Sequence, residues 1–306
     1  MQRRRSVSLV TAIAAALWLT AAVPALAREA APAAAERWIG DVGAIAQADA
    51  GEGRRVAIER RLDAIGLRWN AQTFEAGKHG RGTNLLADVS GPADAPLLLF
   101  GAHFDRVGEG RGATDNASGS ATVLALAERF KQRPLTRHRV AVAFWDLEEA
   151  GLLGSAAYVA QNRAKPALYV NFDVFGWGKT LWMMTPEADT ALVAASRDAA
   201  QAGGLSLAPG EQYPPSDHRS FLKAGWPAVS YSLIGAEEVP LILAAYRREK
   251  TADTAKVMRV IHSAHDTLGE IDPAAAALGV DAVEDAIRRW DADTRLAPTS
   301  KSENGK

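Results

Sequence analysis

The chain has 306 residues, 48% of them hydrophobic and 23% charged, with a formal net charge of −1. That is globular composition with enough apolar side chains for one large core, and a charge so near zero excludes nucleic acid and anionic membrane as expected partners. There is no cysteine, which removes disulfides, thiolate metal ligands and cysteine nucleophiles and leaves histidine and carboxylates for metal chemistry.

The first residues read as a targeting segment. Arg3, Arg4 and Arg5 precede an almost uncharged Ala/Leu-rich stretch from Ser8 to Ala22, and Pro24-Ala25-Leu26-Ala27 supplies an Ala-x-Ala cleavage site. The stretch is short for a membrane span, so residues 1–27 are expected to be a signal peptide. The mature protein is then periplasmic or secreted, with no stable membrane anchor. Residues 28–35, rich in Ala and Pro, read as a linker, residues 36–294 as one domain, and the polar end at 295–306 as a disordered tail.

Within the domain, Glu36 to Gly66 has a helical pattern broken near Asp49–Gly53, with Val56, Ile58, Leu62 and Ile65 on or near one face. Strands are predicted at Leu67–Glu75, Asn84–Val89 and Leu97–Phe100, then a helix over Ser120–Phe130. Val140–Trp145 is a further strand, with a helix start at Glu148–Gly151, and Leu168–Phe172 a short buried strand ending at Asp173. Ala188–Gly203 is helical, Ala228–Ile234 a strand, Leu241–Tyr246 helical, and Pro273–Trp290 a long last helix. Strand and helix alternate, so the expected architecture is α/β with helices on both faces of a sheet.

The chemistry-bearing residues repeat one pattern, an apolar strand followed by His or acid. His103 and Asp105 follow the Leu97 strand, and Asp115 lies in a Gly/Asn/Ser loop ahead of the next helix. Glu148 and Glu149 follow Trp145, Asp173 ends a buried run, and His218 and the pair His262/His265 come later. Singly, these have plain structural readings. Two Glu at a helix start favour the macrodipole, and Asp115 could be only an N-cap. A buried Asp173 is costly unless paired or metal-bound. Together, several carboxylates and histidines converging on one sheet edge repel unless cations join them. Oxygen and nitrogen donors without thiolate suit a catalytic zinc pair, with manganese or cobalt as substitutes. His79 and His138 lie in polar surroundings and read as surface residues.

Six blocks in order carry a resemblance: Gly101-Ala102-His103-Phe104-Asp105, Gly112–Gly119, Glu148–Ser155, Asn171-Phe172-Asp173, Ser216-Asp217-His218 and His262–Thr267. This set resembles the M28 family of zinc metallopeptidases, over about residues 84–272. The resemblance implies a three-layer α/β/α fold around a central mixed, mostly parallel sheet of the zinc exopeptidase type. It implies two Zn2+ ions, one on His103 and Asp173, the other on Glu149 and His262, with Asp115 shared between them. Chemistry alone leaves His262 and His265 equivalent; the family pattern selects His262.

By the same resemblance Glu148 is the general base, Asp105 orients the His103 ring, and Asp266 supports the loop carrying His262. His218 and Tyr213 are expected near the substrate. Peptides or aminoacyl compounds are the implied substrates, and an exported aminopeptidase is the implied activity. Carboxypeptidase or dipeptidase specificity on the same fold is an alternative, and a non-catalytic periplasmic binding module a more remote one. Thr114 departs from the family pattern, which often has Asp before the shared Asp. Thr at that place resembles the glutaminyl cyclases, zinc acyltransferases of this fold that generally use one metal. The Gly-Leu-Leu-Gly-Ser run after the acidic pair resembles the peptidases instead.

Overall fold

The computed structural model describes residues 31–161 and 164–293, so the predicted signal peptide and tail lie outside the described residues. Strands β1 (Trp69–Glu75), β2 (Arg81–Ser90), β3 (Leu97–His103), β4 (Arg139–Trp145), β5 (Leu168–Phe175), β6 (Thr180–Met184), β7 (Ser206–Gly210) and β8 (Ala228–Ile234) form one mixed sheet. Its order is β1-β2-β4-β3-β5-β8-β6-β7. The central β4-β3-β5-β8 pairings are parallel, as is β6 with β7; β1/β2, β2/β4 and β6/β8 are antiparallel. The helices are α1 (Ala31–Gln47), α2 (Glu52–Ile65), α3 (Ser118–Gln132), α4 (Leu153–Ala160), α5 (Ala191–Ala202), α6 (His218–Lys223), α7 (Glu238–Tyr246), α8 (Lys256–Val260) and α9 (Pro273–Ala292). None of these is long and apolar enough to cross a membrane.

Strands covered on both faces read as continuous apolar runs, and every residue of β3 is buried. Period-two alternation then divides each run between two layers. Leu98, Phe100 and Ala102 face a large core shared with α1, α3, α5 and α9. Leu97 and Leu99 face the opposite side, with Trp145, Tyr158, Tyr169 and Phe221 beneath α4 and α6. Phe100 stacks on Phe130 of α3 at 5.3 Å between ring centroids, tying β3 to the helix that follows it. Truncating so buried a ring to Ala costs about 3–5 kcal/mol. A third cluster, built on Val174, Trp177, Trp182 and Ile234 with Ile242, Val257 and Val260, sits under α7 and α8.

Several expectations change. Residues 31–35 of the predicted linker lie in helix α1, whose Ala run is the best helix-forming composition. Gly66, at φ 74°, ends α2 as expected and returns its amide to Asp63 and Leu62. Glu148–Gly151 is a turn rather than a helix start, and α4 begins only after Leu152 at φ 61°. Strand β5 continues past Asp173 to Phe175, with an irregular register against β8 and Val174 at φ 58°. The sequence reading did not contain β6, β7, α6 or α8. His138 is half-buried, paired with Asp291 at 2.8 Å and stacked on Trp290.

Candidate metal centre

Parallel register brings the candidate residues to one edge. His103 is the last residue of β3 and pairs with Trp145 of β4, while Gly101 pairs with Asn171 of β5. The side chains just beyond these positions, Glu148 and Glu149 on one flank and Asp173 on the other, therefore emerge beside His103. The chain leaves β3 for β4 on one side and reaches β5 on the other. The site lies outside the carboxyl ends of strands at such a switch in direction, where open α/β sheets bind ligands.

Asp115 occupies the loop before α3, and Asp266 holds it there by accepting the amides of Thr114 at 2.6 Å and Asp115 at 3.1 Å. Asn116 donates to the Phe172 carbonyl at 2.9 Å, which fastens the loop to β5. Asp105 accepts the amides of Glu148 at 3.0 Å and Glu149 at 3.1 Å and also lies 3.3 Å from Nδ1 of His103. One carboxylate thus aligns the acidic pair and the imidazole. Leu147, Leu152, Val174 and His262 all have φ between 57° and 61°. Left-handed backbone at non-glycine residues costs about 1–3 kcal/mol each and persists where surrounding structure enforces it.

Two donor sets result. In the first, Nε2 of His103 lies 3.2 Å from Asp115 Oδ1 and 3.6 Å from Asp173 Oδ1. In the second, Nε2 of His262 lies 3.1 Å from Asp115 Oδ2 and 3.2 Å from Glu149 Oε2. Each set offers three ligand atoms mutually within 4.8 Å, and Asp115 belongs to both through different oxygens. His265 belongs to neither set.

The electrostatics are those of a cluster that needs cations. Burial opposes charge on His103, but Glu148 and the adjacent carboxylates of Asp105, Asp115 and Asp173 raise its pKa well above the usual value. Asp115 is pushed up by burial yet held below the carboxylate range by His103 and His262. His262 rises to about 10 through its bonds to Asp115 and Glu149. Burial, then the charges of Asp217, Asp173 and Asp115, push Glu148 up to about 9 against the pull of His103. Oε1 of Glu149 and Oδ1 of Asp173 are buried with no hydrogen bond. Such atoms are expensive to leave unmatched, and an N/O donor set of this kind fits zinc.

A cleft opens over both sets. Glu148 lines it together with the apolar Val174, Trp182, Ile234, Ile242, Val257 and Ile261, the packed Tyr213 and the exposed Tyr246 and Met258. Tyr213, expected near the substrate, is among the residues that line the cleft. His218 is not in the wall; it is buried edge-on to Tyr213 at 5.6 Å between ring centroids, and burial lowers its pKa to about 3. Of the other aromatics near the motif blocks, Phe221 and Trp226 pack under α4 and α6, Tyr231 lies in the main core, and Trp177 is tied to Glu238. Trp182 and the residues of α7 and α8 were not singled out by sequence. Their only signal was short apolar runs that read equally well as core.

Comparison with known proteins agrees with this geometry. The description "Peptidase family M28" matches residues 84–287. The chain belongs to that family. Leupeptin-inactivating enzyme 1 of Streptomyces exfoliatus is 33% identical over 81% of this chain, and the chain spans 57% of that relative's length. In structure the chain is similar to a zinc aminopeptidase of Bacillus subtilis, with TM-score 0.56, 24% identity, and 69% and 50% of the two chains covered. It is also similar to a glutaminyl cyclase of Porphyromonas gingivalis, with TM-score 0.67, 20% identity, and 84% and 97% covered. At these identities the two structures establish the shared fold alone, three-layer α/β/α around a mixed sheet.

Proposed function

We propose that the chain is an exported dizinc exopeptidase of the aminopeptidase type, releasing N-terminal residues from peptides. The observation that carries this is the sharing of Asp115 between two complete donor sets. His103, Asp115 and Asp173 would hold one ion; Asp115, Glu149 and His262 would hold the other. Zinc bound there supplies an acidified water and polarisation of a carbonyl oxygen.

The rest is done by the chain. Glu148 faces the cleft beside the donor sets and takes the proton of the attacking water, then passes it to the leaving amine nitrogen. Its raised pKa belongs to the cation-free cluster; beside divalent charge the carboxyl is held ionised and ready to accept a proton. Asp105 lies 3.3 Å from Nδ1 of His103, which leaves Nε2 as the atom that would hold an ion, and fixes the backbone that presents Glu148 and Glu149. The apolar wall excludes water from the bound residue and orients it toward Glu148.

A glutaminyl cyclase-like reaction is the second reading, favoured by the buried Thr114 and by the TM-score of 0.67. One donor set suffices for a one-metal enzyme, so the presence of two supports the peptidase. The deciding experiment measures bound zinc, then assays aminoacyl, N-terminal glutamine, dipeptide and C-terminally blocked substrates with chelator and zinc add-back. Two zincs and chelator-sensitive release of amino acids support the proposal. Cyclisation of glutamine without amino acid release overturns it, and a zinc-free protein indifferent to chelator identifies a binding module. Export is tested by the mass of the mature N-terminus, expected to begin at Arg28.

A further inference from the structure

Arg54 of α2 precedes the residues matched by the family, yet it reaches the metal centre from behind. It is fully buried, four residues before Ile58 on the face that also buries Leu62 and Ile65. Its guanidinium donates to three main-chain carbonyls: Phe104, Arg111 at 2.9 Å and Gly112 at 3.1 Å. Phe104 directly follows His103, and Gly112 lies three residues before Asp115. Both ends of the loop between two candidate ligands therefore hang on one rigid, planar group. The Gly112 carbonyl also accepts the Ala117 amide at 3.0 Å, and the Arg111 amide donates to the Asp266 carbonyl at 2.8 Å. The carboxylates of Asp105, Asp115 and Asp266 supply the opposing charge.

We propose that Arg54 is a positioning residue for the metal centre, fixing the separation of His103 from Asp115 and so setting how tightly the His103–Asp115–Asp173 set holds its ion. The proposal rests on the two-ion reading above. A lysine keeps the charge but is a point donor that cannot span three carbonyls. Arg54→Lys is therefore the informative variant: it separates the fork from the charge.

The test titrates zinc into metal-free parent and Arg54→Lys against a chromophoric chelator and records the visible spectrum of the Co2+-loaded proteins. The expected result is one ion held as in the parent and one weakened about tenfold to a hundredfold, the range seen when a group supporting a ligand is lost. The Co2+ bands of the weakened site shift, and kcat falls with KM little changed. Two ions bound as tightly as in the parent overturn the proposal. A parent that takes one ion refutes the two-ion reading, while the affinity of that single ion in Arg54→Lys still tests Arg54. Should Arg54→Lys not fold, Gly112→Ala is the second variant. A Cβ there lies 2.7 Å from the Asp115 carbonyl and 3.0 Å from Arg54 Nη1 at φ 58°, so it shifts the same loop end with the cation in place. Weakened zinc in that variant supports the proposal, and parental zinc affinity overturns it.

Discussion

Replacing Asp105 by Ala removes the carboxylate that aligns three groups at once. Two amides, those of Glu148 and Glu149, lose an acceptor at 3.0 and 3.1 Å, and His103 loses the partner 3.3 Å from its Nδ1. Hydrogen bonds to a charged acceptor contribute about 1.5–3 kcal/mol each. Both amide bonds are only part-buried, so the lower end applies and the loss is about 3 kcal/mol. That is a large share of a domain stability of about 5–15 kcal/mol. Asp105→Asn keeps one acceptor oxygen and should lose about half as much. Urea denaturation of the metal-free proteins measures this difference without any contribution from zinc. Zinc titration of the same variants should show affinity down about tenfold to a hundredfold, since the imidazole is no longer held in one orientation. A loss below about 1 kcal/mol in Asp105→Ala, with parental zinc affinity, would refute this account of the residue.

Glu148→Gln should fold and bind zinc as the parent does while turnover falls about 10²–10⁴-fold, the usual contribution of a positioned acid–base group; steady-state kinetics with metal analysis checks both halves. His262→Ala and Asp173→Ala should each reduce bound zinc from two ions to one, whereas Asp115→Ala should lose both, as read by elemental analysis after gel filtration. The metal-free protein should lose stability as pH rises. His262, raised to about 10, stabilises fully below its unfolded pKa and ceases to as pH climbs through 10. Glu148, raised to about 9, binds its proton more tightly folded than unfolded, so its contribution also declines from acid toward pH 9. Urea midpoints of chelator-treated protein should therefore fall from pH 6 to pH 10, and a flat or rising profile would contradict the assignment.

What the sequence made legible was the edge of the sheet. Apolar runs ending in His103 or shortly before Glu148 are readable because β3 and the inner part of β4, buried on both faces, are apolar up to their carboxyl ends, whereas Asp173 falls inside β5. The wall of the cleft was not readable. Thr180–Met184 is a five-residue apolar segment, and Ser206–Gly210 contains a proline that argues against a strand unless it lies at a sheet edge, as β7 does. Acidic residues at Glu148 and Glu149 suggested a helix start because Glu favours that end of the macrodipole. The backbone instead turns through Leu147 and Leu152, a conformation no propensity reveals. Arg54 did fall on the apolar face of its helix by spacing, four residues ahead of Ile58. A charged side chain at such a place is ordinarily assumed to turn outward, so only the three-dimensional loop it supports discloses its surroundings.

The spread of the two donor sets along the chain has a consequence for biogenesis. His103, Asp115 and Asp173 are all present once β5 has been synthesised, whereas the set with Glu149 must wait for His262, after β8 and α8. As the chain emerges amino end first, one half of the centre has its donors long before the other. On the two-ion proposal, the donors of one ion would all be made by the end of β5, and the second set would be complete only after all eight strands of the sheet have been made.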